Sequence, residues 1–173
     1  MVDSVPSPAR RTFLSRFRPK VIESTLPESQ YPRPPWARDN AVFLTLCTGC
    51  NQCVEACPQK VLKVSEELEP GLNGLPVLSL DHNICDLCGS CAKTCETGAL
   101  SLLNGNMHQA VAEFNNHCES GYGQPCRMCV EACELGALSV EKNQKPKVDA
   151  NLCTGCGKCG LSCYSRAISM VKR

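Results

Sequence analysis

This chain is poor in the residues that ordinarily build a core. Aromatics make up 5% of its 173 residues, and tryptophan occurs once. The apolar fraction of 43% includes sixteen cysteines. Without them about a third of the chain is apolar, against roughly 45–50% in an ordinary globular domain. Side chains alone make a thin core for a protein whose length would allow one ordinary domain. Other absences narrow the function. No apolar stretch with a cleavage site, as a secretory signal requires, appears. No CxxC is followed by histidine, which excludes covalent haem attachment. Glycines such as Gly121-Tyr122-Gly123 lack a phosphate-loop pattern, and no nucleophile–base constellation can be named, so no enzyme is expected. The formal net charge is +1, and basic residues are not interleaved with aromatic stacking platforms. Nucleic acid is therefore not an expected partner.

Cysteine is what the chain has in excess. Cys47, Cys50, Cys53 and Cys57 read C-x2-C-x2-C-x3-C and run into Pro58. Cys85, Cys88, Cys91 and Cys95 repeat that spacing, as do Cys153, Cys156, Cys159 and Cys163. Cys118, Cys126, Cys129 and Cys133 keep the last three positions but stretch the first gap to seven residues. This is the spacing of bacterial ferredoxin-type ligation, in which four thiolates hold one cubane [4Fe–4S] cluster. Four groups predict four [4Fe–4S] clusters, with all sixteen cysteines as iron ligands. The first three cysteines of a motif lie on a tight loop, and their thiolates converge on one cube. The fourth sits on a short helical turn and, in two-cluster ferredoxins, reaches the neighbouring cluster. Gly49, Gly89, Gly155 and Gly157 suit a backbone that wraps closely around a cluster.

The competing uses of cysteine fit less well. A disulfide framework is expected in short secreted chains. Zinc ribbons separate two CxxC pairs by a long loop, whereas here three cysteines are chained and a fourth follows. His82, His108 and His117 are isolated. His117, beside Cys118, is read as shaping its loop rather than binding iron. Four thiolates around an oxidised cube leave roughly −2 per cluster, so the formal charge understates the anionic character of the loaded chain. With clusters standing in for a core, metal binding becomes folding free energy, and the metal-free chain is expected to be largely unfolded.

The motifs also organise the chain. Val61–Val64, Ala99–Leu102, Ala137–Val140 and Ala167–Met170 follow the fourth cysteines as short strands, while Pro76–Leu80 and Pro146–Asp149 precede the next loops. Turns are predicted at Gly71–Gly74 and Lys142–Lys145. This is repetition of one unit, grouped in pairs. The predicted fold is α+β: two tandem bacterial 2[4Fe–4S] ferredoxin-like modules with short hairpins and helices, preceded by an irregular N-terminal arm. The boundaries are a basic, proline-rich arm over 1–40, module one (motifs one and two) over 41–105 and module two (motifs three and four) over 106–173. Spacers of 27 and 19 residues between a fourth cysteine and the next first cysteine suit hairpins within modules. They favour pairing motif one with two and three with four. A nested pairing, one with four and two with three, remains the rival.

The arm is of different composition. Residues 1–40 carry seven basic and four acidic residues, and residues 1–46 hold seven of the twelve prolines. Ser7-Pro8 starts a predicted helix that Arg18-Pro19 ends, with Phe13, Leu14 and Phe17 on one face and arginines flanking it. Tyr31–Trp36 is predicted extended, with Trp36 and Phe43 packing on the first module. Arg10-Arg11-x-Phe13-Leu14 mimics a twin-arginine export signal. The residues that follow, Ser15-Arg16-Phe17-Arg18-Pro19-Lys20, are too broken by charge and proline for an apolar h-region. Arg10, Arg11, Phe13, Leu14 and Phe17 are instead read as a docking segment for an acidic partner surface, or weakly for an anionic membrane.

The body of the chain resembles the polyferredoxin family of two-module 4×[4Fe–4S] proteins. Three features narrow this: Arg10-Arg11-Thr12-Phe13-Leu14, Arg33-Pro34-Pro35-Trp36 ahead of Phe43-Leu44-Thr45-Leu46-Cys47, and the stretched motif Cys118…Cys126-Arg127-Met128-Cys129. They make the chain similar to the NapF-type branch, the ferredoxin-type accessory proteins of periplasmic nitrate reductase. The resemblance implies a cytoplasmic protein that contacts the catalytic subunit of that reductase transiently and assists its maturation before export. The alternative is a generic electron-transfer subunit of a membrane-linked or soluble redox complex. The cysteines serve both readings; the free basic arm favours the first.

Overall fold

Cysteine loops, rather than long elements, set the course of the backbone. The computed structural model describes residues 29–68, 74–104 and 109–173. The predicted arm helix, with Arg10, Arg11, Phe13, Leu14 and Phe17, lies outside them, as do His108 and most of the predicted Gly71–Gly74 turn. Among the described residues no helix is long and apolar enough to cross a membrane.

The elements are short and mixed. In chain order they are α1 (Asn40–Leu46), α2 (Gln52–Glu55), β1 (Leu62–Val64), α3 (Ser65–Leu68), β2 (Pro76–Leu78) and α4 (Ser90–Thr94). There follow β3 (Ala110–Phe114), α5 (Met128–Glu131), β4 (Leu138–Ser139), β5 (Lys147–Val148), α6 (Lys158–Ser162) and β6 (Ile168–Lys172). Single 3-10 turns span Leu102–Asn104 and Glu119–Tyr122. Helices of four or five residues are too short to stand alone. Each of α2, α4, α5 and α6 starts within a cysteine motif and packs on a partner: α2 on α4, and α5 on α6.

Three two-stranded antiparallel sheets tie these loops together. Strand β1 pairs with β2 in the register Leu62↔Leu78, and β4 pairs with β5 in the register Leu138↔Val148. Strand β3 pairs with β6 from Ala110↔Lys172 to Phe114↔Ile168. In the N-terminal part the position corresponding to that last pair is reduced to one bridge, Ala37↔Leu100. The Arg38 N–H donates to the Ala99 carbonyl at 3.1 Å, and the Ser101 N–H to that of Trp36 at 2.9 Å. The strand expected over Ala99–Leu102 is thus a bridge followed by a 3-10 turn, because its partner bends away at Trp36, which has a φ of 69°. Strand β3 and the helices α1 and α3 have no counterpart in the sequence reading. The other predicted strands are present, one or two residues shorter or longer, and the turn at Asn143 is formed with φ of 61°.

Two apolar clusters lie under the loops. The larger contains Phe43, Val61, Leu62, Leu75, Leu78, Leu80 and Leu100 with Cys53, Cys57 and Cys91. Each such aliphatic residue contributes about 1.5–3 kcal/mol when fully buried. The smaller has Ala112, Cys129, Leu138 and Cys159, flanked by Phe114, Ile168 and Met170. Cysteine is part of both cores, as expected of a chain short of other apolar residues. The two groups of loops meet where the Cys85 N–H donates to the Cys156 carbonyl at 3.0 Å. Gly155 fits there at φ +66°; a Cβ on it would lie 2.4 Å from the Ala110 carbonyl oxygen.

Candidate metal centres

One backbone rule shapes the three regular motifs. The residue before the second cysteine is left-handed in each: Gly49 at φ 68°, Leu87 at 61° and Gly155 at 66°. The residue after it is left-handed too, and caps the following helix: Asn51 at 61°, Gly89 at 74° and Gly157 at 86°. These reversals turn three successive thiols toward one point. The fourth cysteine then ends a helix and closes a turn, with the N–H three residues on donating to its carbonyl: Lys60 to Cys57, Gly98 to Cys95, Gly136 to Cys133 and Arg166 to Cys163. Left-handed Leu87, Lys60 and Arg166 carry strain that a side chain does not choose unaided. Sequence reasoning singled out the loop glycines but had no signal for these three.

The stretched third motif solves the same problem differently. Pro125 and Arg127 flank Cys126, and Arg127 has φ −134° rather than a left-handed value. The extra residues form the Glu119–Tyr122 turn, closed by Gly123 at φ 85°. The Gly121 N–H donates to the Cys118 carbonyl at 3.1 Å, and the Ser120 hydroxyl donates to the Gln144 carbonyl at 2.9 Å. Cys118 is thereby buried beside Cys126 and Cys129.

The cysteines gather in four quartets, each made of three thiols from one motif and the fourth of its neighbour. Cys57, Cys85, Cys88 and Cys91 line one cavity. Cys118, Cys126, Cys129 and Cys163 line a second. Cys133, Cys153, Cys156 and Cys159 share a third, open cleft, which Cys85 also lines. Cys47, Cys50, Cys53 and Cys95 are close enough to disfavour one another's ionisation. Polar ties hold a borrowed fourth cysteine to its loop in three of these. The Gln59 amide donates to Asp86 at 3.0 Å, Lys158 to Glu134 at 2.6 Å, and the Tyr164 hydroxyl to Glu119. His82 and His117 enter none of the quartets, whereas the RPPW residue Trp36 lines the Cys57/Cys85 cavity.

Burial makes these thiols hard to ionise. Burial pushes Cys53, Cys85 and Cys129 up to about 11 and Cys91 and Cys159 up to about 12, with neighbouring thiolates adding to the effect in each. Cys95 is different. Burial raises it, but N–H donation from Leu100 and the Thr97 hydroxyl outweighs that and leaves it lowered. Backbone N–H groups do reach sulfur: Leu100 to Cys95 at 3.4 Å and Ala167 to Cys163 at 3.3 Å. Four ionised thiolates in such a space require cationic charge among them.

All sixteen cysteines are free, so no disulfide framework competes. Among the described residues no three His, Cys, Asp or Glu side chains are gathered tightly enough to hold a single ion. Quartets of thiols with N–H donors facing sulfur fit a polynuclear core in which each thiolate takes its own iron. The donor sets therefore fit [4Fe–4S] clusters.

Mixed short helices and strands around such quartets define an iron–sulfur protein of ferredoxin type. Residues 46–105, which hold motifs one and two together, match the 4Fe-4S dicluster domain family. The chain is 30% identical over 141 residues to the ferredoxin-type protein NapF of Escherichia coli K12, covering 79% of this chain and 82% of that one. It is 35% identical over 169 residues to the methylamine utilization ferredoxin-type protein MauM of Methylophilus methylotrophus, covering 88% and 75%. Against the ferredoxin-type protein NapG of Escherichia coli K12 the figures are 34% over 151 residues, 76% and 65%. The chain belongs to the NapF family of ferredoxin-type iron–sulfur proteins.

Proposed function

We propose that the chain carries four [4Fe–4S] clusters in two tandem ferredoxin-like modules, bounded at 41–105 and 106–173, behind the arm of residues 1–40. In this reading it serves in the cytoplasm as an electron-transfer and accessory protein for the catalytic subunit of periplasmic nitrate reductase before its export. The observation that carries the reading is the quartet rule: three thiols from one motif and the fourth from its neighbour, within each adjacent pair of motifs. When bound, each cluster supplies one-electron redox chemistry. The chain's own residues hold it, direct N–H groups at sulfur and keep water from the inner thiols. The match of motifs one and two to a single dicluster domain supports pairing within modules, and the likeness to NapF and NapG supports the assignment of partner. In this reading Arg10, Arg11, Phe13, Leu14 and Phe17 are the docking segment for a groove on the partner, with charge steering the encounter. The same basic residues allow weak contact with an anionic membrane surface.

The likeness to MauM over most of the chain favours a second reading, a carrier for another redox complex. Capture from cytoplasm separates the two. Anaerobically reconstituted chain, with iron and acid-labile sulfide each near sixteen per chain (four cubes of four), is used as bait with and without residues 1–25. The first reading expects the intact chain to retain unexported nitrate reductase catalytic subunit, and the shortened one to retain much less. Capture of a different redox complex by fully loaded bait supports the second. Equal capture with and without residues 1–25 removes the arm from the docking surface.

A further inference from the structure

Two of the four fourth cysteines carry a hydroxyl two residues on: Thr97 after Cys95 and Ser165 after Cys163, against Gln59 after Cys57 and Leu135 after Cys133. The backbone treats all four alike, with a left-handed residue three positions after the cysteine: Lys60 at φ 54°, Gly98 at 69°, Gly136 at 64° and Arg166 at 49°. The side chains differ. The Gln59 amide is turned to Asp86 at 3.0 Å, and Leu135 is exposed with nothing to donate. Thr97 is exposed, its oxygen 3.6 Å from the Cys95 sulfur. Ser165 is closer, its oxygen 3.4 Å from the Cys163 sulfur. It is half-buried in the wall of the cavity that Cys118, Cys126, Cys129 and Cys163 line.

The turn that holds Ser165 is pinned from both sides. The Arg166 N–H donates to the Cys163 carbonyl at 3.1 Å, which closes the turn. Asn115, just past β3, fastens the next two peptides. Its N–H donates to the Ala167 carbonyl at 2.9 Å and its side-chain amide to that of Arg166 at 3.4 Å. Left-handed Arg166 is strained at a position where motifs two and three have glycine, and the strain aims the Ala167 N–H at the Cys163 sulfur, 3.3 Å away. Cys163 thus has two donors within reach, one backbone and one hydroxyl. Ser120 also stands by this quartet, 3.3 Å from the Cys118 sulfur, but its proton goes to the Gln144 carbonyl at 2.9 Å.

We propose that the Ser165 hydroxyl donates to the Cys163 thiolate and raises the reduction potential of the Cys118/Cys126/Cys129/Cys163 centre. This rests on the cluster reading above. A thiol and a hydroxyl can each donate to the other, but a ligating thiolate has no proton left. In the loaded chain oxygen therefore donates and sulfur accepts. A hydrogen bond to ligand sulfur strengthens as charge on the sulfur grows, so it favours the more negative state. One electron from an external reductant makes that centre more negative by one unit. The reductant is oxidised, the hydroxyl proton stays on oxygen and no bond breaks. Ser165 touches the ligand and not the iron, so it tunes the centre, and iron content should not depend on it.

The test is an EPR-monitored dithionite titration of the reconstituted holoprotein, as wild type, Ser165→Ala, Ser165→Val and Ser165→Thr. Valine and threonine share a shape and differ by the hydroxyl. At full iron content the alanine and valine variants should each make reduction of one centre about fivefold less favourable. That is ~41 mV for one electron, at about 59 mV per tenfold. Threonine should lie near wild type, and the moved signal should be the one that Cys126→Ala perturbs. Unmoved midpoints in either hydroxyl-free variant would overturn the proposal. So would a threonine midpoint as low as that of valine, or a shift in a signal that Cys126→Ala leaves intact. Loss of iron in the alanine and valine variants would assign Ser165 to holding the cluster and overturn it too. A wild-type chain without cubane signals would instead defeat the cluster reading, and this proposal with it.

Discussion

Cysteine identity matters less at each position than the company the thiol keeps. Cys53, Cys91, Cys129 and Cys159, the third cysteines of the four motifs, are buried, and each is held protonated near neutral pH by burial and by neighbouring thiolates. The ligand form is the thiolate, so loading must expel those protons. The sign follows: raised thiol values oppose loading at low pH, and the opposition fades as pH rises. Iron occupancy after reconstitution should therefore climb as pH rises from neutral toward those raised values of about 11 to about 12, with proton release seen in weakly buffered solution. Occupancy independent of pH over that range would contradict it. Cys118 poses a separate question, because seven residues part it from Cys126. Its burial and the ordered Glu119–Tyr122 turn argue for a ligand. Cys118→Ala should lower iron from near sixteen to about twelve per chain, or leave a [3Fe–4S] EPR signal in place of one cube. Iron content and spectra identical to wild type would strike it from the ligand set.

At the scale of elements, helix pairing decides which cysteines meet. Packing of α2 on α4 and of α5 on α6 brings each fourth cysteine to the loop of its partner motif. Hairpins do the same work from the other side: β1 with β2 returns the chain from Cys57 toward Cys85, and β4 with β5 returns it from Cys133 toward Cys153. A nested arrangement would require α2 to face α6. Cys95→Ala should accordingly disturb the EPR signal assigned to Cys47, Cys50 and Cys53. Disturbance confined to a centre of motif three or four would refute the adjacent pairing.

Seen whole, the molecule is a set of loops with too little apolar material to close on itself. The smaller core has four buried residues, two of them cysteines. Removing iron leaves these thiols buried, unbonded and mutually repulsive when ionised, so cluster binding free energy is also folding free energy. Anaerobic chelation should abolish the far-UV circular dichroism of β3 and β6 along with the visible absorbance. It should also expand the chain on gel filtration. The C-terminal part should open first, since the larger core around Phe43, Leu62 and Leu78 lies in the other. Retention of native hydrogen-exchange protection after complete iron loss would show that the side chains suffice.

Much of this was legible in residue order, for a physical reason. Ligand spacing is a local constraint: C-x2-C-x2-C-x3-C has to reverse direction within three residues, and glycines at 49, 89, 155 and 157 permit it. Short strands after three of the four fourth cysteines follow from residue order, and these too are local. Other features came from distant partners. Strand β3 exists because β6 lies beside it, and the Ala99–Leu102 strand shrinks to a bridge because residues 36–38 turn away. Leu87, Lys60 and Arg166 take left-handed backbone that their side chains disfavour, because loop closure around sulfur outweighs a modest local strain. Arg33 reads in sequence as the start of the Arg33-Pro34-Pro35-Trp36 segment; its burial with the guanidinium over the Phe43 ring is a product of the fold. Composition and spacing determined what the chain binds, since those are set by short stretches. Which thiols lie together was decided by packing between segments far apart in the chain.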